Sequence, residues 1–262
     1  MFSEEVFRLL EKKDIIADLH IHTIGSLHGY STLKECIDAA VINNMRYIAI
    51  TDHYYDDGTI LGRKNEVNRI TYLEKRAKST RSNVKVIGGA EFNLAQSIPA
   101  WDKLKKLKWK LVGVHGWFLN REETTLEELY RYFEAASEQF NAFSHIEREL
   151  HKIDYCKYKD ELTRDVKSFL EKIVLLAKKT DTILELNESS LITNEAGAYD
   201  RILFWTTIAK ENGNIISLGT DSHYCEEIGK FNCSLELLNR LNFSKEKIIN
   251  CNEALLEQYF GI

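Results

Sequence analysis

Residues 15–23 read Ile-Ile-Ala-Asp-Leu-His-Ile-His-Thr, the first of several apolar runs along the chain. An apolar run of this length that ends in polar residues predicts a short strand covered on both faces, as in a parallel sheet. Alternate residues of a strand point to the same side. His20 and His22 are therefore expected to face together into the carboxyl end of the sheet.

Six later segments have the same apolar character, and amphipathic helical patterns separate them. The predicted strands cover residues 15–23, 47–53, 85–94, 110–117, 141–146, 182–190 and 215–223. The predicted helices cover residues 31–44, 65–79, 124–139, 162–179, 200–212 and about 244–259. Such alternation indicates parallel β-α units. It favours an α/β fold, a distorted (β/α)7 TIM-like barrel that forms a single domain over residues 1–262, with a doubly wound sheet as the alternative.

Composition narrows the function classes. The chain has 35 Lys and Arg against 40 Asp and Glu, and this acidic balance argues against a general nucleic-acid coat, because phosphate contacts need clustered cations. Neither a secretory signal nor a membrane helix is expected, since no long apolar run occurs. The five cysteines are irregularly spaced without a C-x-x-C pair, which is typical of free thiols in a reducing cytoplasm.

Most of the histidines follow the predicted carboxyl ends of strands. Active sites of β/α barrels lie on that face, whereas the opposite face serves stability. Two carboxylates fall at equivalent positions on the third and seventh strands. The candidate metal ligands are His20, His22, His28, His53, Glu91, His115, His145, Asp221 and His223.

This donor set predicts a metal centre. Imidazole and carboxylate groups together suit Zn²⁺, Mn²⁺ or Fe²⁺. Nine ligands are too many for one ion, and they fit three divalent ions if Glu91 bridges two of them. Closely spaced ions clamp the attacking and leaving oxygens of a displacement and activate a water between them. Because the chain has neither a G-x-S-x-G elbow nor a Walker A loop, we expect metal-dependent hydrolysis without a side-chain nucleophile.

The motifs resemble those of one family. D-L-H-I-H-T, H-G-Y-S-T, I-T-D-H, G-A-E, G-V-H, S-H and T-D-S-H occur in this order between residues 18 and 231, as in the polymerase and histidinol phosphatase (PHP) family. The chain is similar to the small single-domain bacterial PHP phosphoesterases. The resemblance implies attack of metal-bound hydroxide on a phosphate ester. It also implies three ions, held by His20, His22, Glu91 and Asp221, by His28, His53 and His223, and by Glu91, His115 and His145.

Other polar residues near the predicted rim are candidates for supporting roles. Arg148 departs from the family pattern after the fifth strand, and we expect it either to contact a substrate phosphate or to pair with an adjacent glutamate. Asn187 and Ser189 on the sixth strand are expected to orient the substrate or a histidine, or to serve packing and capping. Asp18 and Asp52 each precede a histidine and are candidate acceptors that fix an imidazole tautomer.

Hydrolysis of a small-molecule phosphate monoester is the leading function, with histidinol phosphate as one specific option. A metal-dependent exonuclease or phosphodiesterase is the second possibility. An amidohydrolase or a non-catalytic metal-binding domain is less favoured, since the ligand motifs are complete and His115 occupies the fourth strand. Three divalent ions would make the mouth of this acidic chain locally positive, which suits a phosphate group better than a nucleic-acid backbone. Assembly into a homo-oligomer is left open.

Overall fold

The described part of the chain contains seven parallel strands that form a barrel. In the computed structural model, which describes residues 8–54, 67–80, 82–94, 105–115, 124–148, 150 and 162–261, the strands pair in chain order. They are β1 Ala17–Ile21, β2 Tyr47–Ile50, β3 Lys85–Asn93, β4 Trp109–Gly113, β5 Ala142–Phe143, β6 Ile183–Asn187 and β7 Ile216–Gly219.

The barrel nearly closes where the chain beyond β7 returns to β1. His22 N donates to Ser222 O at 2.9 Å, and Asp221 N donates to His20 O at 2.9 Å. The expected (β/α)7 barrel is confirmed. Its strictly sequential strand order excludes the doubly wound alternative, in which the order would reverse within the sheet.

In the described ranges, helices follow most of the strands and pack on the barrel. They are α1 Leu33–Ile42, α2 Val67–Ala77, α3 Leu126–Ala136, α4 Arg164–Thr180, α5 Glu188–Thr193, α6 Ala198–Glu211, α7 Asn232–Leu241 and α8 Glu253–Phe260. Capping boxes fix the starts of α1 and α3, where Thr32 and Thr125 accept from a backbone N–H three residues later. None of the helices in the described ranges has the length and apolar character needed to cross a membrane.

The predicted C-terminal helix, about 244–259, is wrong in its first half, because α8 begins only after two 3₁₀ turns. Asn250, in the second turn, donates to Ala17 O and Leu218 O and accepts from Leu218 N, at 2.6–2.9 Å. These bonds draw the segment against the barrel. The side chain of Asn252 then caps α8.

The sixth strand is shorter than its predicted range of 182–190. The side chain of Asn187 accepts from Ser190 N at 2.9 Å and so begins α5 directly after β6. The sequence pattern also missed α7. The buried carboxylate of Glu188 accepts from Cys233 N at 2.8 Å at the start of that helix.

An apolar cluster fills the barrel at the amino-terminal ends of the strands. We call it the lower cluster, and its members are Ala17, Leu19, Tyr47, Ala49, Ile87, Trp109, Leu111, Ala142, Ile183, Ile249, Leu256 and Phe260. Its strand residues recur at alternate positions, as inward-facing residues should. On β4, the alternation that starts with Trp109 and Leu111 leads on to His115 at the opposite end of the barrel.

Two strands change the side that faces inward before they reach that end. On β1, Leu19 belongs to the lower cluster, yet the next residue, His20, also faces the interior. A register irregularity against β2 between Asp18 and Ile21 accompanies the change. On β5, the change coincides with a positive φ of 28° at His145. Local backbone distortion therefore brings histidines from both strands to the rim, the carboxyl-terminal end of the barrel.

Candidate metal centre

The nine candidate ligands lie together on the rim. Those that are buried are His20, His22, His53, Glu91, His145 and Asp221, whereas His28, His115 and His223 are partly exposed at its mouth. Neighbouring imidazole rings form a continuous series with centroids 4.5–5.1 Å apart, in the order His145, His115, His53, His22, His223 and His28. The structure thus brings together residues from strands that are distant in sequence.

Glu91 is the centre of this arrangement. Its two carboxylate oxygens lie 2.7–3.4 Å from imidazole nitrogens of five residues, His20, His22, His53, His115 and His145. Glu91 is buried, and within the described ranges its Oε2 has no hydrogen-bond partner. A buried carboxylate oxygen of this kind is costly unless another group binds it.

The imidazole rings of His20 and His223 each have one nitrogen that faces an acceptor outside the cluster. The second nitrogen of each ring therefore faces the cluster. His20 Nδ1 lies 2.6 Å from Glu185 Oε1, and His223 Nδ1 lies 2.9 Å from the main-chain oxygen of Asp221. Both partners can only accept, so we assign the ring proton to Nδ1. In the neutral form of each ring, Nε2 then keeps the lone pair that binds a metal ion.

Ser26 and Asp52 hold a third ring, that of His22. Ser26 Oγ lies 2.8 Å from His22 Nδ1 and donates to Asp52 Oδ1 at 2.8 Å. Ser26 Oγ also accepts a hydrogen bond from His53 N at 3.0 Å. Gly25 leaves the space for this contact, because a Cβ there would lie 2.3 Å from Asp52 Oδ2. Asp52 thus reaches the imidazole through a hydroxyl group.

The spacing of the donor atoms fits divalent metal ions. His20 Nε2 and His22 Nε2 are 3.0 Å apart, and Asp221 Oδ1 lies 3.1 Å from His22 Nε2 and 3.5 Å from His20 Nε2. A tetrahedral zinc ion with bonds of about 2.0–2.1 Å holds its ligands roughly 3.3 Å apart. The unpartnered Oε2 of Glu91 lies 3.4 Å from the same two nitrogens.

Within the described part of the chain, three overlapping sets of residues could hold an ion. They are His20, His22 and Glu91, then His22, His53 and His223, then His53, Glu91 and His115. These sets share most of their members with the ones that the resemblance implies. In the second set His22 takes the place of His28, and in the third set His53 takes the place of His145.

Burial and opposite charge act against each other at the two carboxylates. Burial by itself would raise the pKa of Glu91, but the surrounding imidazoles, His115 first, hold that pKa well below its usual range. Burial opposes ionisation of Asp221 in the same way, and Arg148 holds its pKa well below the usual range. Burial lowers the pKa of His223 to about 4. Ionised carboxylates and a neutral imidazole are the forms that bind metal.

Arg148 binds one of the candidate ligands directly. Its Nη2 donates to Asp221 Oδ2 at 2.7 Å and to Asn187 Oδ1 at 2.9 Å, and its Nε donates to Ser190 Oγ at 3.2 Å. Asn187 is buried, whereas the Arg148 side chain remains 24% exposed and so reaches the solvent side of the rim. Oδ1 of Asp221 therefore lies close to imidazole nitrogens, whereas its Oδ2 accepts a hydrogen bond from the guanidinium group of Arg148.

Two other candidate residues lie away from the imidazoles. Ser189 lines a cavity of about 270 Å³ beside α5 and the start of α7. Asp18 Oδ2 accepts from Thr220 Oγ1 at 2.6 Å and from Gly229 N at 3.0 Å. Because those partners follow β7, Asp18 ties the first strand to the chain beyond the last.

Glu185 and Ser26 were not among the residues predicted from the sequence. Glu185 alternates with Ile183 and Asn187 along β6, so the inward-facing pattern of the strand could have revealed it. Ser26 ends the irregular turn Ile24–Ser26, for which the sequence offered no comparable signal.

Comparison with known proteins identifies the family. The PHP domain matches residues 18–220. This chain belongs to the PHP family. The match ends at residue 220, so the assignment of residues 1–262 to one PHP domain stays a prediction.

Relatives of this PHP chain are phosphatases by name. A probable phosphatase of Edwardsiella ictaluri is 25% identical over 239 residues, which cover 90% of this chain and 89% of the relative. One from Caldanaerobacter subterraneus subsp. tengcongensis is 23% identical over 264 residues, which cover 95% and 92%. Their names agree with the phosphoesterase class that the motifs predict.

A solved structure shares the fold of this PHP chain. It is histidinol phosphate phosphatase from Lactococcus lactis subsp. lactis, complexed with Zn, L-histidinol and phosphate. The TM-score is 0.61 at 18% identity, and the alignment covers 88% of this chain and 95% of that one.

Proposed function

We propose that this PHP chain is a metal-dependent phosphatase that hydrolyses a phosphate monoester of a small molecule at a trinuclear centre. The observation that carries the proposal is the convergence of five imidazole nitrogens on the carboxylate of Glu91, at 2.7–3.4 Å. No hydrophobic or structural role accounts for so many ionisable groups buried around one oxygen pair. The names of the curated relatives support the same class of reaction.

Glu91 would bridge two of the three ions. The first ion would be held by His20, His22, Glu91 and Asp221, the second by His28, His53 and His223, and the third by Glu91, His115 and His145. Zn²⁺, Mn²⁺ and Fe²⁺ suit such donors, and zinc is the first to test because the neighbour from Lactococcus contains it. When bound, the ions would supply an activated water and neutralise charge on the phosphoryl group.

The chain's own residues would orient the substrate at the rim. The partly exposed Arg148 would contact a phosphoryl oxygen while it keeps Asp221 in place, since a guanidinium group binds two anions in a fixed geometry. Asn187 supports Arg148 from the buried side. Ser189 remains a candidate for contact with the rest of the substrate.

Histidinol phosphate is the specific substrate to test first, because the Lactococcus neighbour was solved with L-histidinol and phosphate. An exonuclease or phosphodiesterase is the second candidate, which the family resemblance keeps open. The buried position of most donors favours a small phosphate ester over a polymer backbone.

Metal analysis and a substrate panel test the proposal. Protein purified without chelator should contain roughly two to three ions per chain. The nine candidate ligands are too many for one ion, and hydrolases of this kind use more than one ion to bind the attacking and leaving oxygens. The zinc-loaded protein should release phosphate from p-nitrophenyl phosphate and from one or more phosphorylated metabolites, histidinol phosphate included. A folded, metal-free protein would contradict the proposal, and preferred cleavage of single-stranded DNA would favour the second candidate.

A further inference from the structure

A closed series of side chains lies behind the candidate ligands, and we call it the Glu185 network. His20 Nδ1 lies 2.6 Å from Glu185 Oε1, and Asn187 Nδ2 donates to Glu185 Oε2 at 3.2 Å. Arg148 Nη2 then joins Asn187 Oδ1, at 2.9 Å, to Asp221 Oδ2, at 2.7 Å. Asp221 Oδ1 returns to within 3.5 Å of His20 Nε2. The network therefore connects two candidate ligands of the same ion from the side away from that ion.

The backbone of β7 leaves the space that this network needs. Gly219 lies beside the contact between His20 and Glu185. A Cβ at position 219 would be 2.3 Å from Glu185 Oε1 and 2.5 Å from the Cβ of His20. Any larger residue would force the imidazole and the carboxylate apart.

Glu185 is not one of the nine candidate ligands. Its side chain is nevertheless almost completely buried, with 1% exposed. Burying a carboxylate costs stability unless hydrogen bonds replace its hydration. Here the compensating groups are the ring N–H of His20 and the amide of Asn187. A carboxylate that accepts from a ligating imidazole fixes its tautomer and orientation and strengthens it as a metal ligand.

We infer that Glu185 is a positioning residue for the first metal ion of the proposed centre. It holds His20 with Nε2 toward the ion, and through Asn187 and Arg148 it restrains Asp221, the ligand on the other side. This inference rests on the proposed metal centre and adds a residue to it. Removal of the carboxylate should therefore weaken the binding of one ion of the three and leave the others in place.

Zinc binding measures this effect without any substrate. Chelator-stripped protein is titrated with Zn²⁺ in competition with a chromophoric chelator. Glu185→Gln should bind one of its ions about 10-fold less tightly than the unsubstituted protein, at the lower end of the loss seen when such acceptors are removed. The cobalt(II)-loaded variant should also show an altered visible absorption spectrum, because the geometry at one ion changes.

Glu188→Gln is the matched control. Glu188 is another buried carboxylate three residues along the chain, but it accepts from Cys233 N and Ser234 N at the start of α7. The control should lower the unfolding temperature and leave both zinc affinity and the cobalt spectrum unchanged. Equal zinc affinities and spectra for Glu185→Gln and the unsubstituted protein would overturn the inference.

Arg148→Lys provides a second test if Glu185→Gln does not fold. The lysine keeps the positive charge but lacks the Nε donor to Ser190 that holds the guanidinium plane against Asn187 and Asp221. The same ion should bind several-fold more weakly, and unchanged zinc affinity would exclude the coupling through Asp221. These readouts are independent of catalysis. A chain whose variants lose zinc affinity but which hydrolyses no phosphate ester would refute the proposed function and leave the positioning role intact.

Discussion

The two ends of the barrel use the same strands in opposite ways. The lower cluster is apolar, and the indole N–H of Trp109 within it is satisfied by Leu19 O at 2.9 Å. The rim buries charged groups, and two of its buried atoms, Glu91 Oε2 and His145 Nδ1, have no hydrogen-bond partner within the described ranges. Unsatisfied buried atoms cost stability. The lower cluster thus stabilises the fold, whereas the rim holds buried polar atoms that the described part of the chain leaves unpaired.

The change of character occurs between neighbouring inward positions. On β6, Ile183 belongs to the lower cluster, and Glu185, the next residue on the same side, contacts His20. On β3, Ile87 belongs to the lower cluster, and Glu91, two inward positions further on, contacts His20. Substitutions at the two ends should therefore separate activity from stability.

The largest expected effect is the loss of activity in Glu91→Ala. This change removes the carboxylate on which five imidazoles converge, so ion binding should fail at two positions. Turnover of p-nitrophenyl phosphate should fall at least about 1000-fold, equivalent to roughly 4 kcal/mol of barrier. Zinc content and thermal unfolding are measured alongside. Retained turnover with lowered stability would mean that the rim serves the fold.

Leu256→Ala should give the opposite result. Leu256 is fully buried in the lower cluster, and its truncation should lower the free energy of unfolding by about 3 kcal/mol through lost burial and the cavity left behind. Denaturant unfolding measures the loss. Zinc content and kcat at a temperature where the variant is folded should match the unsubstituted protein, and a parallel fall in kcat would show that the two ends are coupled.

His115→Ala should produce a smaller loss at the rim. His115 is partly exposed, and its Nε2 lies 3.4 Å from Glu91 Oε1. We expect turnover to fall about 100-fold, roughly 2.7 kcal/mol, because one ion is weakened while the others remain. Thermal unfolding of the zinc-free protein should change little. Full turnover would show that the third ion is not needed for the reaction.

Sequence reasoning predicted the fold where the signals are local. The apolar runs identified each strand, and the Thr-Thr start of α3 correctly indicated a capped helix. It failed at residues 244–252, because Asn250 bonds to Ala17 and Leu218, which are remote in the chain. A contact of that kind has no periodic signature.

The positions of the nine candidate residues were predictable from the sequence, whereas which of them share an ion stays a prediction. Strand-end positions put the nine residues on one rim, as the structure shows. The pairing of His22 and His53 with particular neighbours depends on the irregularity of β1 and the backbone turn at His145, which no single-sequence pattern encodes. Glu185 could have been found from the alternation along β6.

The smallest expected effect compares two buried hydroxyl groups at opposite ends of the barrel. Ser26 Oγ contacts His22 Nδ1 at 2.8 Å and donates to Asp52 at 2.8 Å, whereas Thr182 Oγ1, at the start of β6, donates to Ser137 O at 3.1 Å. Ser26→Ala leaves the His22 ring without its acceptor and should weaken zinc binding about 10-fold. Thr182→Val should cost about 1–2 kcal/mol of stability, because it removes the bond to Ser137 O and the contact with Thr180 Oγ1 at 2.8 Å, with zinc affinity unchanged.

Zinc competition and denaturant unfolding on both variants give four values that decide the comparison. If Ser26→Ala binds zinc normally and loses only stability, the hydroxyl between His22 and Asp52 is a structural contact like that of Thr182. If both variants lose zinc affinity, the ligands depend on the whole barrel rather than on the groups that touch them. The expected pattern is a loss of affinity for Ser26→Ala alone, because only that hydroxyl decides which nitrogen of an imidazole keeps its proton.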